Sequence, residues 1–390
     1  MKNQIIKLND VKSANTRAVL EILLQSEGIS RIELARKMNC DNTTISRVVR
    51  ELMQQGVIIS GTKSEQAHGR PRVSLNINPD GPGLLGISLE PDRIVGVLTD
   101  LCGRVRKCET LLFDGVPEKK RFLYSIESLI RRLSDVANER LLGIGASVFG
   151  SYSGEDYILE NAAAFPQLNG LALAPFFEKC AGRKVEICDH LVSKMHFISH
   201  EYPEVNLGTT LLISAGRGIG LVIAENARLL FSPNNHGGEF GHSIYVPNGL
   251  LCACGRRGCL ETVSSLTAVL QNCRQKLKRS DLDINDLAEL LEQKNSVVEK
   301  ELQTAVDLLG IAITNQLNNY PVKNLVITGT MLIFGDKFKE WLTERIMLNA
   351  FSSVKKSLNI HFIALDDDHS LARGAAILAA QSAIKNIDFQ

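Results

Sequence analysis

Three cysteines of this 390-residue chain fall within eight positions: Cys252, Cys254 and Cys259. His242 stands ten positions before the first of them. Three thiolates and an imidazole form a complete tetrahedral ligand set for structural zinc. Gly255 and Gly258 let a short loop turn around a single ion. Four protein ligands leave no open coordination position, so the expected role of the metal is to hold shape. Glu239 and Glu261 flank this set, and the metal needs neither. Carboxylates left over beside a rigid loop are strong acceptors for the hydroxyls of a small polar ligand.

Composition sets the limits within which such a loop works. Apolar residues make up 44% of the chain and charged residues 22%, as in an ordinary globular protein. No apolar run approaches the ~20 residues of a spanning helix. The start, MKNQIIKLNDVK, lacks a signal-peptide core, which makes the cytoplasm the expected location. In a reducing compartment the six scattered cysteines (Cys40, Cys102, Cys108, Cys180, Cys188 and Cys273) are expected as small hydrophobes, not as a disulfide framework. The net charge of +1 is uneven: residues 1–76 carry a balance of +5 and the remainder −4. A basic head on a mildly acidic body points to an anionic partner for the head.

The head, residues 1–78, is patterned as a winged helix-turn-helix. Asn15–Leu24 has apolar residues at helical spacing, and Ser30-Arg-Ile-Glu33 is a capping box opening a second helix. Asp41 or Asn42 caps a third, in which Ile45, Val48, Val49 and Leu52 share one face. That leaves Thr43, Thr44, Ser46, Arg47 and Arg50 pointing outward, a set suited to a helix in the major groove of operator DNA. Two strand-like runs, Val57–Ile59 and Val73–Ile77, enclose a polar loop. In that loop Arg70, held extended by Pro71, is shaped for a narrow minor groove.

The body, residues 79–390, begins after the turn-rich joint Asn78-Pro-Asp-Gly-Pro-Gly83 and is α/β. Strand pairs are expected at Leu84–Leu89 with Arg93–Leu98, and at Gly208–Ser214 with Ile219–Ile223. Each pair is followed by helices and a further strand, Leu142–Val148 and Leu325–Thr328. The recurrence predicts two related lobes, and internal repeats of this kind form ligand clefts between lobes. Helices are predicted at Arg121–Asn138, Leu266–Lys278, Asn285–Leu291, Val297–Asn318 and Leu371–Ile384.

From about Leu84 to the end, the chain resembles the ROK family, which comprises repressors and sugar kinases of the actin-like ATPase (ribonuclease H-like) fold. The resemblance rests on Gly216-Arg-Gly-Ile-Gly220, Gly238-Glu-Phe-Gly-His242 and Cys252-Ala-Cys-Gly-Arg-Arg-Gly-Cys-Leu-Glu261, which occur in the family's order. With the winged head in front, the arrangement is similar to the Mlc/NagC/XylR-type repressors. The resemblance implies a sugar held by Asn161, in Asn161-Ala-Ala-Ala-Phe-Pro166, and by Glu239, His242 and Glu261. It also places Asp189 where the kinases carry their catalytic base. His242 can serve both sites, one ring nitrogen on zinc and the other toward the ligand or a carboxylate.

The departures from the family separate repressor from kinase. Where the kinases carry an aspartate, two glycines and a threonine close to the ATP phosphates, this chain reads Ser88, then Glu90, Pro91 and Asp92. Acidic side chains repel a triphosphate, and proline removes an amide donor. Around Asp189 the two asparagines usual in the kinases are missing, and Gly329-Thr330 replaces a double glycine. The expectation is a non-enzymatic, sugar-responsive transcriptional repressor with structural zinc. Its partners would be operator DNA and a sugar or sugar-phosphate effector. A homodimer or dimer of dimers is expected, because one recognition helix reads too few base pairs. In similar repressors a membrane sugar-transport protein is an alternative signal. The competing readings are an active ATP-dependent sugar kinase carrying a DNA-binding head, and a protein–protein scaffold.

Overall fold

The computed structural model describes residues 8–26, 28–64, 72–90, 92–115, 117–137, 140–162, 166–230, 238–365 and 368–385. The chain forms two compact units: unit 1, Met1–Phe197 with His369–Gln390, and unit 2, Ile198–Asp368.

Unit 1 opens with α1 (Leu8–Gln25), β1 (Ile29–Ser30), α2 (Arg31–Met38) and α3 (Asn42–Gln54), followed by β2 (Ile58–Ser64) and β3 (Arg72–Ile77). The capping box forms as its sequence dictates: the Glu33 amide donates to Ser30 Oγ, and the Ser30 amide donates to the Glu33 carboxylate at 2.9 Å. Asp41 caps α3 by accepting from the Thr44 amide at 2.8 Å. Helix α3 buries Ile45, Val48, Val49 and Leu52, each contributing about 1.5–3 kcal/mol relative to exposure. A three-stranded sheet in the order β1-β3-β2 completes the winged helix-turn-helix. The two-residue β1, which pairs Ile29 with Leu75, is too short to show in a sequence pattern.

The sheet of unit 1 is built from β4 (Gly83–Glu90), β5 (Arg93–Thr99), β6 (Val105–Leu112), β7 (Leu141–Val148) and, beyond the small hairpin of β8 (Ser151–Ser153) and β9 (Ile158–Asn161), β10 (Glu186–Asp189). The strand order is β10-β7-β4-β5-β6, with β10, β7 and β4 parallel and the β4-β5-β6 meander antiparallel. Helices α4 (Lys119–Val136) and α5 (Leu173–Ala181) cover one face, where Ile87, Leu89, Ile144, Ala146 and Ile187 pack with Phe122, Leu129 and Phe177. Helix α6 (His190–Glu201) starts directly from β10, and the chain passes from unit 1 to unit 2 within it.

Unit 2 repeats the same sheet. Strands β11 (Thr209–Ala215), β12 (Ile219–Glu225) and β13 (Arg228–Leu229) form an antiparallel meander. The metal-ligand loop follows, then α7 (Glu261–Ser264), α8 (Leu266–Leu277), α9 (Ile284–Glu292) and α10 (Ser296–Asn319). Next come β14 (Asn324–Thr328), α11 (Gly335–Asn349), α12 (Ser352–Ser357) and β15 (Asn359–Phe362). The order β13-β12-β11-β14-β15 has β11, β14 and β15 parallel, which reproduces the topology of unit 1 strand for strand. The repeat inferred from sequence is therefore a repeat of folded topology.

The chain re-enters unit 1 as α13 (Ser370–Lys385), a helix rich in alanine. Its small residues let its backbone lie against the sheet. A Cβ on Gly86 would sit 1.9 Å from the Ala372 carbonyl oxygen, and one on Gly145 would sit 2.0 Å from that of Ala375. Farther along, Ala376, Ala379, Ala380 and Ile384 enter the hydrophobic core of the head, alongside Val19, Leu20, Val49 and Leu75. One helix thus packs on the sheet and on the DNA-reading fold.

Candidate functional site

The four predicted metal ligands converge. The ligand atoms of His242, Cys252, Cys254 and Cys259 all lie within 4.8 Å of one another. Cys254 and Cys259 Sγ are 3.6 Å apart, and His242 Nδ1 is 3.5 Å from Cys252 Sγ. A tetrahedral zinc with bonds of about 2.3 Å sets its sulfurs roughly 3.8 Å apart, so the donor set fits that ion in number, type and spacing. The loop closes through short bridges, Ile244 to Cys259 and Leu251 to Arg257. Gly258 is needed here for two reasons: its φ is +77°, and a Cβ would lie 1.7 Å from the Val246 carbonyl oxygen.

The thiols are electrostatically unequal. Burial raises Cys254, but hydrogen bonds from the Arg256 backbone and side chain and from the neighbouring thiols outweigh it, so Cys254 falls below the usual thiol range. Cys259 is raised, first by burial and then by its hydrogen bonds to Cys254 and Cys252. A thiolate is thus already favoured at one ligand position, which is the form a metal takes.

The flanking groups are placed as follows. His242 turns Nδ1 toward the cysteines and Nε2 toward Glu239, whose Oε2 lies 3.8 Å away. Glu239 is otherwise open, its side chain 64% exposed. Glu261 begins α7, and its Oε2 accepts from the Ile219 amide at 3.0 Å. That bond ties the metal loop to the β11–β12 hairpin, a structural duty that the sequence did not announce. The close approach explains Gly218, where a Cβ would lie 2.8 Å from the same oxygen.

In unit 1, Asn161 ends β9 opposite Ser151 of β8; its side chain lies outside the described atoms, as do residues 163–165. Asp189 ends β10 and caps α6, its Oδ1 accepting from the Val192 amide at 2.8 Å. Tyr152, on β8 next to Ser151, is raised by burial and by the nearby Asp189 charge. His190 is fully enclosed against Phe149, and burial pushes it down to about 3, so it is neutral at ordinary pH. The phenol oxygen of Tyr152, Ser147 Oγ and both His190 ring nitrogens make no full hydrogen bond among the described residues. Sequence reasoning missed these polar groups around Asp189, which are scattered over three segments.

The altered phosphate-loop residues are placed as follows. Glu90 does not point outward: it is 9% exposed, accepts from Ser88 Oγ at 2.7 Å and pairs with Arg93 at 3.0 Å. Asp92 is exposed, and Pro91 lies outside the described residues. On α3, Thr43, Arg47 and Arg50 are exposed, whereas Thr44 and Ser46 are half-buried. The Thr44 hydroxyl donates to Asp41 at 2.7 Å and so serves the cap. Arg70 lies outside the described residues.

Two topologically identical sheet units, a cysteine–histidine centre in the second and a winged helix-turn-helix in front define a repressor-like member of the actin-like sugar kinase fold. The chain belongs to the ROK family, whose profile matches residues 84–382; a MarR-family profile matches residues 13–65, within the head. A xylose repressor of Bacillus spizizenii is 28% identical, over 83% of each chain. The DNA-binding transcriptional repressor Mlc of Escherichia coli is 21% identical, over 97% of this chain and 95% of that one. Among solved structures, a ROK family transcriptional regulator described as a homolog of E. coli Mlc superposes with a TM-score of 0.82, at 22% identity, over 96% of this chain and 97% of that one. A ROK hexokinase from Thermus thermophilus reaches a TM-score of 0.65 at 19% identity, covering 77% of this chain and 98% of its own. The fold is therefore shared with kinases, while the head aligns with the regulators. No described helix is long and apolar enough to cross a membrane.

Proposed function

We propose that this chain is a DNA-binding repressor of carbohydrate uptake or metabolism genes, released from its operator by a sugar-class effector. The observation that carries the reading is the placement of α13. It packs against the sheet that ends in Asp189, and its far end lies in the hydrophobic core of the helix-turn-helix. A change at the sheet therefore reaches the recognition helix through one rigid element. Asn161, Asp189, Glu239, His242 and Glu261 are the candidate acceptors for sugar hydroxyls. Zinc at His242, Cys252, Cys254 and Cys259 fixes the ring of His242 and the loop that carries Glu239 and Glu261. Thr43, Thr44, Ser46, Arg47, Arg50 and Arg70 contact operator DNA. The protein acts as a homodimer, or a dimer of dimers, because two-fold pairing gives the contact area a specific operator needs. A regulator of chromosomal operators works in the cytoplasm, and a membrane sugar-transport protein is the alternative signal.

The chain acts without phosphoryl transfer, since Ser88, Glu90, Pro91 and Asp92 replace the residues that approach ATP. ATP with a panel of hexoses is expected to give no sugar phosphate; turnover near ~1 s⁻¹, the low end for enzymes, would favour the kinase reading. The repressor reading is tested by gel shift on the DNA upstream of the protein's own coding region. A shift that weakens with salt and with one of a panel of sugars supports it, and a scaffold would show neither.

A further inference from the structure

The parallel strands β4, β7 and β10 end along one edge of the unit 1 sheet, with Leu89, Val148 and Asp189 in register. Ligands of α/β sheets bind outside such carboxyl ends. At this edge Glu90 meets Arg93, and Lys194 is near enough for the Glu90 charge to act on it. Glu90 has both oxygens engaged, one by Ser88 Oγ at 2.7 Å and the other by Arg93 Nε at 3.0 Å. Lys194, on the second turn of α6, lies deep among its neighbours, although part of its surface still meets solvent. Burial pushes its ammonium down to about 8, and the Glu90 charge acts in the opposite direction. Arg93 keeps about a quarter of its side chain exposed, so a small ion has a route in from solution.

A buried carboxylate paired with one cation, and within electrostatic reach of a second, is arranged like an anion in its seat. We propose that Glu90 is the built-in occupant of a seat formed by Arg93 and Lys194, so that this edge excludes phosphate-bearing ligands and takes an uncharged sugar. The sugar part of this inference rests on the effector reading above; the seat itself does not. A phosphate would have to displace a carboxylate already satisfied by two hydrogen bonds, and would face Asp189 on the same edge. An uncharged polyol meets neither obstacle.

The test uses the full-length chain and inorganic phosphate, with no sugar present. Thermal melts near neutral pH compare about 20 mM phosphate with chloride at matched ionic strength. Wild type is expected to melt at the same temperature in both. In Glu90→Gln the negative charge beside the two cations is removed, and phosphate is expected to raise the melting temperature by about 3 °C. Glu90→Ser, which leaves more room for the ion, serves if Glu90→Gln does not melt cooperatively. Adding Lys194→Met to either variant is expected to abolish the gain. Stabilisation of wild type by phosphate, no response in the Glu90 variants, or a gain that survives Lys194→Met would each overturn the proposal. If the phosphate pattern holds and no sugar shifts the wild-type melt, the seat stands and the sugar-effector reading fails.

Discussion

His242 divides its two ring nitrogens between the cysteine cluster and Glu239, so in the proposed site it is the residue that would touch both metal and sugar. The purified chain is expected to carry one zinc, and Cys254→Ser to lose it, by elemental analysis; full occupancy in the variant would show that the cluster is not a zinc site. This centre was legible in the sequence because its ligands fall within a short stretch, from His242 to Cys259. The anchoring of Glu261 on the Ile219 amide was not, since the partners are far apart in the chain and a backbone amide carries no residue-type signal. Lys194 was missed for a related reason: a lysine inside an apolar helical run reads as solvent-facing until its neighbours are known. His190 gives a pH signature. Its folded value of about 3 lies below the ordinary 6.5, so the unfolded chain takes up the proton first as pH falls. The stability from burying the neutral ring is complete above pH 6.5 and is lost progressively toward pH 3. His190→Phe is expected to flatten the stability-versus-pH curve between about pH 6 and 4, where one differential proton gives at most ~1.4 kcal/mol per pH unit. An unchanged slope in urea melts would remove His190 as the cause.

At the scale of elements, helices with a clear apolar stripe could be read directly, whereas one evenly buried helix and the shortest strands could not. Helices α3, α4 and α9 carry a clear apolar stripe, and their positions agree with the expected ones within a few residues. Helix α6 was not anticipated, because Val192, Ser193, Met195, His196, Phe197 and Ile198 are all buried and erase the period. Strands β10 and β15, of four residues each, are too short for alternation to register. Caps were more legible, since Ser30 with Glu33 is a local signal; Ser30→Ala is expected to lower stability by about 1 kcal/mol, measured by urea unfolding. Asp189 shows the opposite case. Its match to a catalytic base was visible, but its service as the cap of α6 was not, and that service alone is a reason for an aspartate there. The sharpest element-level test is Gly86→Ala. Its methyl would meet the Ala372 carbonyl at 1.9 Å, so α13 must shift, at a cost of roughly 1–3 kcal/mol. Because α13 also fills the core of the head, the same variant is expected to weaken DNA binding while leaving the metal centre loaded. Unaltered DNA affinity at a lowered melting temperature would argue against α13 as the link.

For the whole molecule, the charge asymmetry and the recurrence of hairpin, helices and strand were enough to anticipate a basic winged head and a duplicated body. What the sequence could not supply is that the head shares its core with α13, because Ala376, Ala379, Ala380 and Ile384 lie some three hundred residues from their partners. The joint at Asn78–Gly83 is turn-rich, yet Arg106 of the body donates to its Gly81 carbonyl at 2.7 Å, and Arg140 donates to the Gln55 carbonyl at the end of α3 in the head at 3.1 Å. A head that shares its core with its body meets the structural requirement of the proposed ligand-controlled repressor. Arg47→Ala and Arg50→Ala are expected to weaken operator binding, by about 1–3 kcal/mol for an arginine that makes a bidentate base contact and with a reduced salt slope for one that contacts phosphate. The most direct test of the account is the affinity of the full-length protein for its own upstream DNA, titrated with a panel of unphosphorylated sugars. The account predicts salt-sensitive binding that one sugar weakens about tenfold or more, a coupling of at least ~1.4 kcal/mol. Tight binding that no sugar alters, or no specific binding at all, would contradict it.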